Sequence, residues 1–191
     1  MSMHGYTRND LQPVTLPGNE MAELLASALI GDDDRAALRR AGHLLDDQIE
    51  DLLDVWYGFV GSQPHLLAHF STPAGEPIGD YLGAVRARFG QWVRDVCAAD
   101  YDASWLAYQL EVGRRHATVG KNRTDGADST AYVPVRHLVA LIAPITLTVR
   151  PFLESRASAN DDLDAMMAAW LKAVVLHVAV WTQPYVADGQ W

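Results

Sequence analysis

Trp105, Tyr108, Val112 and His116 recur at spacings of three, four and four, so an imidazole closes the apolar stripe of a helix and faces inward. A lone inward histidine is most often a core residue hydrogen-bonded to a neighbour. Its other use is to offer a ring nitrogen to a metal. Two further segments bear on the choice, one presenting Trp56 and Tyr57 and the other Phe89. With His116 these residues would form an apolar aromatic chamber holding one nitrogen ligand and one phenol. A haem asks for that division, because one imidazole holds the iron axially while a dry opposite face leaves the sixth position open to a diatomic gas. A phenol on that face can donate a charge-assisted hydrogen bond to polarised bound oxygen. An aromatic pair that simply fills a core is also a sound reading, and residue types alone leave both open.

Other constellations carry less. His65 and His69 stand four apart and can share a helix face, but no glutamate completes a zinc motif and no third ligand lies nearby, so they read as surface histidines. Asp46, Asp47, Glu50 and Asp51 form an acidic face opposite Ile49 and Leu52 rather than a catalytic pair. Glu111 and Arg115 are spaced for a surface ion pair. Nucleotide-binding loops, nucleophile elbows and the Glu-x-x-His pairs of a di-iron bundle are missing.

The elements that must position these residues are helices. Leu45, Ile49, Leu52, Trp56 and Val60 keep helical spacing, as do Leu82, Val85, Phe89, Trp92 and Val96. Punctuation predicts about eight helices: Asn19 to Leu29, Asp33 to Ala41, Leu44 to Gly61, His65 to Phe70, Ile78 to Ala98, Asp102 to Ala117, Pro134 to Leu153 and Asp161 to Tyr185. Pro134 suits a first turn, whereas Pro144 should bend its helix. The polar segment from Thr118 to Ala131 reads as a loop joining two halves. Unequal helices with short joints favour a globular all-α fold over a symmetric bundle.

Composition narrows the function class. A net charge of −9 with scattered basic residues, only Arg114, Arg115, Lys121 and Arg123 being loosely grouped, argues against nucleic acid as a partner. The single cysteine, Cys97, forms no internal disulfide and suits a reducing compartment, so a cytoplasmic protein is expected. No segment reaches the ~18 uninterrupted apolar residues of a membrane span, and no membrane association is expected. The 191 residues need only one domain.

Blocks spread over nearly the whole chain resemble the protoglobins, single-domain globins related to the sensor domains of globin-coupled sensors. These are His4-Gly-Tyr6, Leu53 to Ser62, Tyr81 to Gly90, Tyr101 to His116, Pro144-Ile-Thr146, Pro151-Phe-Leu153 and Trp181 to Tyr185. The resemblance implies a globin-like fold with an extra N-terminal helix, a leader over 1–17 that helps bury the haem, and one globin domain over 18–191. It implies haem b as cofactor, with His116 as the proximal iron ligand, Tyr57 and Trp56 as the distal pair, and Phe89 shielding the iron. Val85, Leu141 and Ile145 fall at positions that line the haem, and Val112 lies on the His116 stripe. It further implies a narrow route for gases and a homodimer built on the last two long helices.

Two departures stand out. Ala117 follows the ligand where relatives commonly carry a second histidine, and Leu141 occupies a place where they can have an aromatic residue. The expected function is reversible binding of O2, CO or NO at a five-coordinate iron. Two alternatives are a haem-dependent enzyme acting on peroxide, nitrite or nitric oxide, or by artificial carbene transfer, and a gas-sensing module acting through a separate partner. The sequence offers no dedicated acid–base pair for the enzymatic reading.

Overall fold

The computed structural model describes residues 3–187 and 190–191. Among them, nine α-helices run in the order α1 (Glu20–Ser27), α2 (Asp32–Leu45), α3 (Ile49–Ser62), α4 (Pro64–Leu67), α5 (Gly79–Ala98), α6 (Ala103–His116), α7 (Val135–Ala140), α8 (Ile142–Arg156) and α9 (Leu163–Trp181). No named strand occurs among the described residues, and the fold is all-α and globin-like.

Local chemistry sets three of the helix starts. The Asp102 carboxylate accepts from the Trp105 amide at 2.6 Å, and that of Asp162 from the Ala165 amide at 2.9 Å, so each satisfies one free donor of a first turn. Three aspartates open α2, where their charge meets the positive end of the helix dipole. The acidic face near the start of α3 is solvated and paired: Asp46 with Arg94, Asp47 with Arg156 and Glu50 with Arg86.

Two boundaries differ from the expected ones. The second helix continues past Ala41 to Leu45 and passes through a 3-10 turn, Asp46–Gln48, directly into α3. The expected single helix from Pro134 is two helices, interrupted at Leu141. Pro144 explains the break. Its ring would clash with the carbonyl four residues back, that of Ala140, and it has no amide to bond it, so the chain stops being helical there instead of bending at the proline itself.

The central element is α9, packed against α2, α5, α6 and α8. Ala169, Trp170, Ala173, Leu176 and Val180 on this helix are fully buried, so its length and apolarity belong to a core helix. Leu38, Leu45, Leu52, Leu53, Val93, Val149 and Leu153 complete one continuous core with it. A smaller cluster of Trp105, Leu106, Leu176 and Val180 is covered by Met21, Leu24 and Leu25 of α1, which makes α1 the extra N-terminal helix.

The contact that matters most for the site is between α6 and α9. A Cβ on Gly113 would lie 2.9 Å from both the Cα and the carbonyl oxygen of Trp181, so only glycine lets the two backbones touch.

Candidate functional site

A cavity of about 220 Å³ opens between α3, α5, α6, α7, α8 and α9. Trp56, Tyr57, Val85, Phe89, Val112, His116, Leu141 and Ile145 all line it. Residues separated by up to 89 positions are thus brought to one chamber by helices whose stripes were legible separately.

His116 enters from the last turn of α6. Its Nδ1 lies 2.8 Å from the Val112 carbonyl, one helical turn back, which puts the ring proton on Nδ1 and the lone pair on Nε2. Trp181 stacks on the same ring, with centroids 5.4 Å apart and planes at 23°. Trp181 is itself held by its indole N–H, which donates to the Gln109 side-chain oxygen Oε1 at 2.9 Å in the buried α6–α9 seam. Burial lowers the His116 pKa to about 4, against a smaller opposing effect of the Val112 bond, so the imidazole is neutral at ordinary pH.

The second buried histidine supplies the contrast. His177 of α9 bonds the Ala173 carbonyl through Nδ1 at 2.8 Å, the same wiring, but its Nε2 accepts from the Trp105 indole at 3.1 Å. Both nitrogens of His177 are therefore used. His116 instead has its ring proton fixed on Nδ1 by a carbonyl, which leaves the Nε2 lone pair free at the cavity.

Aromatic rings run from Tyr57 to His116 along the chamber. Tyr57 meets Phe89 edge-on at 6.4 Å, Phe89 stacks between Trp56 (5.6 Å) and Trp92 (5.0 Å), and Trp92 meets Trp181 at 5.7 Å. Burial pushes the Tyr57 phenol well above its ordinary range, with Arg86 and Arg88 opposing, so it keeps its proton and stays a hydrogen-bond donor.

The profile of the protoglobin family matches residues 18–191. The chain belongs to the protoglobin family. No curated protein matches it. Protoglobins are haem-binding globins, and this chain's residues fit the group: a neutral imidazole with a free Nε2 borders a chamber walled mainly by apolar and aromatic side chains.

Sequence reasoning missed part of the protoglobin chamber. His69 is buried, with 9% of its surface exposed, and is not the surface residue expected; it lines the cavity while His65 is exposed. No group of three or more metal-binding side chains forms around the pair among the described residues. Lys121, in the segment expected to be a polar connecting loop, is buried and lines the same cavity. Trp181 was legible only as part of a family block. A stronger signal was available, since Gly113 lies three residues before His116 and marks a close helix approach.

The expected Glu111–Arg115 ion pair is present at 3.0 Å. Its arginine also donates to the Gly5 carbonyl and to Thr7, while Arg88 donates to the His4 carbonyl. Both arginines border the cavity, so the N-terminal segment is tied to its rim. Tyr6 anchors that segment by donating to the buried carboxylate of Asp95 at about 3.0 Å.

Proposed function

We propose that this protoglobin holds haem b through His116 alone and reversibly binds O2, CO or NO on the face of Tyr57 and Phe89. The observation that carries the reading is the unused Nε2 of His116, set against the fully bonded ring of His177. When bound, haem would supply an iron able to take up a diatomic ligand. The protein's residues do the rest. Val112 fixes the imidazole tautomer and Trp181 fixes the ring plane. Trp56, Phe89, Val85, Leu141 and Ile145 exclude water, and the protonated Tyr57 offers a hydrogen bond to a polarised ligand.

Absorption and resonance Raman spectra of the ferrous protein test this reading. Wild type should show a five-coordinate histidine-ligated iron that takes up carbon monoxide. His116→Gly should lose that ligation and regain it with added imidazole; an unchanged histidine spectrum in the variant overturns the assignment.

The same reading includes a homodimer through the α7–α8 segment and α9. Leu147 is 69% exposed and Val139 52%, and Leu171 and Val175 of α9 are also open, an apolar exposure that a second copy would cover. It also includes residues 3–17 as a cover over the haem edge, held by the Arg88, Arg115 and Asp95 bonds. Cytoplasmic residence is proposed on the single, buried, unpaired Cys97.

A further inference from the structure

Lys121 is a buried cation without a counter-ion. Only 7% of it is exposed, and its ammonium donates to the Tyr81 hydroxyl (2.9 Å), the Asn122 side-chain carbonyl (2.9 Å) and the His69 backbone carbonyl (3.1 Å). All three acceptors are neutral, and no carboxylate of the described residues lies within ion-pair distance. A charge removed from water is normally paired. The neighbouring cations of the cavity are already engaged, Arg88 in a two-pronged bond to Asp125 (2.9 and 2.6 Å) and Arg115 with Glu111.

The three N–H groups of Lys121 are thus all bonded while its charge is unpaired, and beside it sits a group whose hydrogen bonding is incomplete. His69 lies with Nδ1 2.8 Å from the Thr130 hydroxyl, while its buried Nε2 has no partner. Burial first, and the Lys121 charge second, lower its pKa to about 4, so the ring is neutral. A hydroxyl can donate or accept, and in the tautomer where Thr130 donates to Nδ1 the ring proton lies on Nε2 as an unused donor. An ammonium without an anion and an N–H without an acceptor thus adjoin at the polar end of an otherwise apolar cavity. The group that satisfies both at once is a carboxylate.

We infer that Lys121 and His69 form a carboxylate-binding corner that receives a haem propionate and fixes the in-plane orientation of the haem. The inference rests on the haem reading above. It gives His69 a role away from the iron, and it gives the loop after His116 a reason to carry a buried lysine.

The test compares haem b with haem dimethyl ester, whose carboxylates are capped, in full-length wild type, Lys121→Met and His69→Phe. The readout is the rate at which the porphyrin is lost to an excess of a scavenging apoglobin. Wild type should lose the ester about tenfold faster than haem b or more, and each variant should speed the loss of haem b while leaving the ester rate near its wild-type value. Equal rates for the two porphyrins in wild type overturn the inference without touching the haem reading, and need no variant to fold. A variant that loses both porphyrins faster by the same factor overturns it in favour of packing. A change of axial coordination in His69→Phe overturns it by putting His69 on the iron. If wild type takes up neither porphyrin, the haem reading fails and the inference with it.

Discussion

The indole of Trp181 stacks on the imidazole of His116 because the backbones of α6 and α9 touch at Gly113. An alanine there would place its Cβ 2.9 Å from backbone atoms that cannot rotate away. Gly113→Ala should therefore push the helices apart, destabilise the fold by about 1–3 kcal/mol, and shift the iron–histidine stretching band. Denaturation midpoints and resonance Raman spectra check the two effects. An unchanged band with lowered stability would show that the contact serves folding alone.

Tyr57 provides the second prediction. Tyr57→Phe removes a hydroxyl and keeps the ring that packs on Phe89 and Phe70. Oxygen release should speed up by about tenfold, the worth of one good hydrogen bond, while carbon monoxide release changes much less because that ligand carries less charge. Stopped-flow displacement measures both, and equal effects on the two gases would remove the donor role from Tyr57.

The third prediction is a pH dependence. Burial lowers the His177 pKa to about 4, with the Ala173 bond opposing, against 6.5 in the unfolded chain. Between these values the unfolded state binds more protons, so the contribution is intact above pH 6.5 and stability falls as pH drops towards 4. The loss is on the order of 3 kcal/mol. His177→Phe deprives the Trp105 indole of its acceptor and should be less stable at pH 7, yet its stability should decline less on acidification. Urea midpoints across pH 7 to 4 would expose a parallel decline, which would refute the assignment.

The fourth prediction concerns assembly. Leu147→Glu adds a charge to the most exposed apolar position of α8, on the face offered to a second copy. Light scattering should show wild type as a dimer and the variant as a monomer with an unchanged far-ultraviolet spectrum. Monomeric wild type would end the proposal.

The fold was largely legible because each helix carries its own apolar stripe and polar cap, and these are local signals. Helix α9 is the exception in kind: it is buried on most sides and was recognised by length and apolarity rather than by a stripe. The break at Leu141 was displaced from its cause, since proline acts on the carbonyl four residues earlier. The chamber residues His116, Trp56 and Phe89 were legible because they lie on those stripes, whereas Tyr57, beside Trp56, was marked by its phenol and by the family resemblance. His69 and Lys121 were not, because each is a polar residue beside turn chemistry whose burial depends on another segment folding over it. Sequence spacing records one element at a time, and the Lys121 contacts with Tyr81 and His69 join three.

The Nδ1 partner of His116 is a peptide carbonyl, not a carboxylate. A carboxylate would draw the ring proton towards itself and make the imidazole an electron-rich ligand that stabilises oxidised iron. A carbonyl does this only weakly, so an imidazole held this way stays close to neutral and would leave the potential of an iron bound to it comparatively high. On the proposed haem reading, the last turn of α6 would favour the reduced form of an iron held by His116.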